Sequence, residues 1–198
     1  MPNTIGENKN AESLKERALT GDLKRFCMLP FVLLNCRTNG MLKHCGRVEG
    51  NVGFITKDDG QTPFNLHENS IDEIWNSKFL KEFRLKKIRN EFIPQCRVCY
   101  RDDENGHESK RLTYILKFYE KYKHIVEYAA KNSGSVNHLP VQWEIRMSNI
   151  CNSRCVICWA GNSNQIYKGI KENINNPLLP PIQRDTYFYE QGKREKYK

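Results

Sequence analysis

Three thiols within eight residues are the sharpest chemical feature of this chain. Cys151-Asn-Ser-Arg-Cys155-Val-Ile-Cys158 has the spacing C-x3-C-x2-C. Thiolates this close together can hold three irons of a cubane cluster and leave the fourth iron without a protein ligand. An open position on a metal cluster is where a small molecule can bind. A structural zinc ion wants four ligands, and no histidine or further cysteine lies within ten residues on either side. A second set is spread along the chain: Cys27, twelve residues, Gly40-x4-Cys45, then a long gap to Cys96-x2-Cys99. Two ligands at the ends of a hairpin and two from a C-x2-C segment can converge on one metal. Four thiolates suit a [4Fe-4S] cluster or structural zinc, and the spacing alone leaves both open. Of the two remaining candidates, Cys36 reads as a small apolar core residue. His44 adjoins Cys45 and could tune or replace a ligand, but reads first as a hydrogen-bonding group.

The C-x3-C-x2-C loop, placed after a predicted strand and before a predicted helix, resembles the radical S-adenosylmethionine (radical SAM) superfamily. The resemblance implies that Cys151, Cys155 and Cys158 hold a [4Fe-4S] cluster whose unique iron chelates the amino and carboxylate groups of S-adenosyl-L-methionine. An electron from the cluster would then cleave the sulfonium to a 5′-deoxyadenosyl radical. The family places an aromatic residue before the third cysteine; here it is Ile157, which the resemblance puts beside the adenine. The second set resembles the twitch or SPASM auxiliary-cluster domain, which reads C-x9–15-G-x4-C followed by C-x2-C. Further matching text is Leu29-Pro30-Phe31, Ser70-Ile71-x2-Ile74-Trp75-Asn76-Ser77 and Cys99-x4-Glu104-x-Gly106-x2-Ser109-x-Arg111. The full SPASM pattern adds cysteines after the C-x2-C. Asn105 stands where one is expected, so the one-cluster twitch type is implied, with Cys27, Cys45, Cys96 and Cys99 as ligands. The order is the reverse of the usual one, because the auxiliary domain here precedes the radical SAM segment.

The elements that must position these residues follow from pattern. Residues 1–25 read as a loosely held arm with one weak helical stretch, Ala11–Leu19. Thr38-Asn39-Gly40 between two apolar segments, Phe31–Arg37 and Met41–Arg47, is a hairpin signal. Residues 48–69 read as loop with a short strand near Phe54–Thr56. Ser70 and Glu73 form a capping box, opening one helix with apolar positions Ile71, Ile74, Trp75, Phe79, Phe83 and Ile88 that Pro94 closes. Lys78–Arg89 carries six basic residues and one acidic residue, and reads as a solvated face rather than a phosphate or RNA patch. Cys96–Gly106 reads as loop, and a second long helix runs from Glu108 to Lys131. Val141–Met147 alternates, with Val141, Trp143, Ile145 and Met147 on one face, as a strand does. A helix from Asn164 to Asn175 follows the cysteine loop.

These elements give an α+β chain: a small cysteine-clamped hairpin-plus-helices domain, then the first β/α unit of an incomplete radical SAM (β/α) barrel. The expected divisions are the arm at 1–25, the auxiliary domain at 26–132, the start of the radical SAM core at 139–176, and a tail at 177–198. A full eight-unit barrel runs to about 250 residues, and only 40 residues follow Cys158. No Gly-Gly pair supplies the family's second-strand motif. A fragment, a truncated product, or one part of a split enzyme completed by a complementary chain is therefore expected.

Composition sets the outer limits. The 198 residues carry a net charge of +9 and a mean hydropathy of −0.73. The longest apolar run, Met28–Leu34, is far short of the roughly 20 residues of a membrane span. The N-terminus has no apolar core of a secretory signal. A cytoplasmic, reducing setting is expected, where clustered cysteines bind metal more readily than they form disulfides. The expected partners are S-adenosylmethionine, an unknown substrate (peptides are common for enzymes with such a module) and a reductant such as a flavodoxin or ferredoxin, with no membrane. The competing expectation is a basic, zinc-stabilised binding module contacting nucleic acid.

Overall fold

A computed structural model describes residues 4–48, 53–146, 148–155, 158 and 160–181. The chain forms two compact units, one of residues 1–36 and 40–144, the other of residues 37–39 and 145–198.

In the first unit the segment expected as a loose arm is an α-helix, α1 (Thr4–Leu19). Its Leu14 and Ala18 are buried in the main core, and it packs on the long helix α6 (Lys110–Lys131). Met28–Leu34, the apolar run, begins as a short helix α2 (Leu29–Val32) with Pro30 in its first turn, and only then extends into strand β1 (Leu33–Cys36). Proline lacks the N–H that a first turn leaves unpaired anyway. β1 pairs antiparallel with β2 (Leu42–Lys43) in the register Asn35–Lys43 and Cys36–Leu42. Gly40 in the connecting turn has φ +78°, and a Cβ there would run into Asn65 and His67. The Phe54 region meets β2 through the Lys43–Phe54 bridge and the Ile55 N–H to Leu42 C=O bond of 2.9 Å.

The single helix expected after Ser70 is two. The capping box forms as read, with Ser70 accepting from the Glu73 N–H and Glu73 returning to the Ser70 N–H. Helix α3 (Ile71–Trp75) then stops at Asn76, and Ser77 caps a new helix, α4 (Lys78–Ile88). Asn76 is diverted: its side-chain amide donates to Val136 C=O and accepts from Val136 N–H, both at 2.9 Å. Arg84 on α4 is fully buried without an ion-pair partner among the described residues. It is held by the carbonyls of Pro30, Trp75 and Gly134 and stands over the Trp75 ring. With Lys87 also buried, the basic segment is not a wholly solvated face.

The stretch expected as loop after Pro94 is a 3₁₀ turn (Pro94–Cys96) running into helix α5 (Arg97–Glu104). Helix α6 follows with Ser109 as its cap and a kink at Tyr122. Arg111 at its start is clamped: it pairs with buried Asp103 at 2.6 Å and donates to the carbonyls of Leu23, Phe26 and Ala18. Strand β3 (Gln142–Ile145) lies beside β1, giving the sheet order β2-β1-β3. Its alternation is real but its orientation is inverted from ordinary burial. Glu144 faces inward, accepting from Lys110 and Asn35, each at 2.6 Å, while Val141 and Trp143 are 40% and 38% exposed. Met147, expected to end the strand, lies outside the described residues.

In the second unit, helix α7 (Asn164–Glu172) is capped by Ser163. A small core of Ala160 and Ile170 forms with Ile166, Tyr167, Ile174 and Leu179 packed against it. Among the described residues no helix is long and apolar enough to cross a membrane.

Candidate metal centres

Cys27, Cys45, Cys96 and Cys99 line one cavity in the first unit. They arrive from three pieces of local structure. Cys27 lies just before α2, Cys45 just after β2, Cys96 at the N-cap of α5, and Cys99 in that helix's first turn. The C-x2-C spacing works because residues three apart lie on one face of a helix, and the helix at 97–104 is the feature that pattern reading missed. Its apolar content is too slight for a periodic signal; only Cys99 and Tyr100 of its residues are buried.

The space enclosed between these side chains is small, about 20 Å³. Burial pushes the Cys27 thiol up to about 12 and the Cys45 thiol up to about 11, and raises Cys99 as well. Such thiols keep their protons at neutral pH until a metal displaces them. Donors are already aimed at the sulfurs: the Arg47 N–H at Cys45 Sγ, 3.3 Å, and Lys87 Nζ at Cys96 Sγ, 3.2 Å. Burial opposes the charge on Lys87, but Cys96, Cys27 and Tyr100 outweigh it and hold its pKa up.

His44 is also in the cavity wall. Its Nδ1 meets the Gly53 carbonyl at 2.9 Å, which makes Nδ1 the protonated nitrogen and leaves Nε2 a buried acceptor without a partner. Burial lowers its pKa to about 4, so the ring is neutral. Cys36 is buried in β1 and is not among the residues lining the cavity.

The C-x3-C-x2-C set lies on the loop between β3 and α7. Cys151 and Cys158 are half-buried and Cys155 is exposed. The loop is tied to the start of α7: Cys151 N–H donates to Asn164 Oδ1 at 3.0 Å, Asn164 N–H to Asn149 C=O at 2.8 Å, and Ser163 Oγ to Ser153 C=O at 3.2 Å. Cys158 N–H turns back to Cys155 C=O at 2.9 Å. Ile157, expected beside an adenine, lies outside the described residues.

Among the described residues no three histidine, cysteine or acidic side chains converge closely enough to share one metal ion. Four thiols lining one cavity are a donor set that a four-iron cluster or a zinc ion could take.

Residues 27–100 match the family model of SPASM, an iron–sulfur cluster-binding domain. The matched span contains all four cysteines of the cavity. No curated protein and no solved structure matches the chain.

Proposed function

We propose that this chain is an iron–sulfur protein of the radical SAM class. Cys27, Cys45, Cys96 and Cys99 hold an auxiliary [4Fe-4S] cluster of the twitch type, and Cys151, Cys155 and Cys158 hold a second that binds S-adenosylmethionine. The observation that supports this most is the ring of four thiols around one cavity inside the matched iron–sulfur domain. When bound, the second cluster supplies the electron that cleaves S-adenosylmethionine to begin radical chemistry on a substrate, peptides being the favoured class.

The chain's own residues have separable tasks. Each buried cysteine gives up its proton on ligation, and the Arg47 N–H and Lys87 ammonium steady the thiolates they reach. Asn164 and Ser163 hold the 151–158 loop to α7 and so fix where its thiols stand. In the barrel reading β3 is the first strand and α7 the first helix. The exposed Trp143 and Ile145 on β3 then face further β/α units carried by a complementary chain.

The test is anaerobic purification and reconstitution with iron and sulfide. A brown protein with two clusters' worth of iron and sulfide is expected. A colourless protein holding zinc would overturn the reading in favour of a basic binding module.

A further inference from the structure

Three cations stand in the wall of the four-cysteine cavity, and two are neutralised. Arg47 pairs with Asp102 at 2.9 Å and Arg111 with Asp103 at 2.6 Å. The third, Lys87, is 1% exposed and has no carboxylate within ion-pair reach among the described residues. Its three ammonium hydrogens have three acceptors: Cys96 Sγ at 3.2 Å, Tyr100 Oη at 2.9 Å and Arg25 C=O at 3.3 Å. The rings of Phe83 and Tyr100 lie under the charge, 5.5 and 5.2 Å from Nζ to centroid.

A buried ammonium without a counter-charge is costly. The neighbour able to provide one is the sulfur it touches. Four thiolates around a cluster make an anionic site, and a fixed cation against one of them favours the state with one more negative charge. Net charge and hydrogen bonds to the sulfurs are the levers that set such potentials. We propose that Lys87, acting through Cys96, raises the reduction potential of the cluster held by Cys27, Cys45, Cys96 and Cys99. It does so by stabilising the state reached when a low-potential one-electron donor reduces that cluster. This rests on the cluster reading given above.

The experiment uses the full chain with Cys151, Cys155 and Cys158 all changed to alanine, so that one cluster is observed. The protein is reconstituted with iron and sulfide and titrated with dithionite under electron paramagnetic resonance. Lys87→Met should make the cluster harder to reduce by at least about tenfold in the equilibrium, about 59 mV for one electron. Lys87→Arg, which keeps a charge, should return most of that shift. Loss of iron in Lys87→Met with iron retained in Lys87→Arg would also support a charge requirement. A midpoint unmoved in Lys87→Met, an equal shift in Lys87→Arg, or loss of iron from both would overturn the proposal. Absence of iron and sulfide before Lys87 is changed would overturn the cluster reading itself, and is told apart by preceding any Lys87 variant.

Discussion

Cys151, Cys155 and Cys158 fall within eight residues on one loop, and Cys155 is exposed. Cys27, Cys45, Cys96 and Cys99 are scattered over 27–99 and meet only because a hairpin, a short helix and α5 are packed around a cavity. The first set can be altered with little effect on the core, because its ties are a few hydrogen bonds to the N-terminus of α7. In the second set, three of the four cysteines are themselves buried. A metal bound there contributes to folding, since ligation in the native state alone stabilises that state. One set of thiols sits on a local sequence motif; the other is built into the packing of the fold.

The largest expected effect tests that contrast directly. Cys99→Ala should remove one cluster's share of iron and speed amide exchange across residues 27–100 by more than about tenfold. Cys155→Ala should remove the other cluster's share and leave exchange in 27–100 unchanged. Hydrogen exchange with iron analysis reads both, and equal disturbance of 27–100 by the two variants would erase the distinction.

Next in size is the clamp that brings the scattered set together. Asp103→Ala leaves the buried Arg111 guanidinium without its carboxylate. Breaking a buried pair on one side costs about 3–5 kcal/mol, so urea unfolding of the first unit should move to markedly lower concentration. A loss below about 1 kcal/mol would mean that the three carbonyls on Arg111 suffice.

At the sheet, Glu144→Ala removes two short charge-assisted bonds, to Lys110 and Asn35. Such bonds contribute about 1.5–3 kcal/mol each when well formed. Because both side chains of the ion pair are about 30% exposed, a total of about 2 kcal/mol is expected, read by urea denaturation. The smallest effect belongs to the local site. Ser163→Ala removes the α7 cap and the tie to Ser153, costing about 1 kcal/mol. Faster exchange should be confined to 151–172, with 27–100 untouched.

How much was legible follows the range of the interactions. The Ser70–Glu73 capping box, the start of α6 (read at Glu108, found at Lys110) and the Asn164 start of α7 are set within a few residues, and the sequence displays them. The C-x3-C-x2-C loop and the paired spacing of the second set are equally local patterns. Long-range pairing is not written that way. The break at Asn76 depends on Val136, sixty residues on, so periodicity through Trp75 and Phe79 reads as one helix. The burial of α1 depends on α6. The inward turn of Glu144 depends on Lys110 and Asn35, which outweigh the tendency of Val141 and Trp143 to face a core.

By itself the sequence determined which residues could ligate metal, that they fall into a local set and a dispersed set, and, to within about two residues, where α3, α6 and α7 start. Those are consequences of residue chemistry and of spacing over a turn or two. Only the tertiary structure decided that the dispersed set surrounds one cavity and that Lys87, read as part of a solvated basic stretch, is buried against Cys96. The reason is that burial and charge pairing are settled by which distant groups are packed together, and a helix pattern is indifferent to whether its basic residue meets water or a thiol.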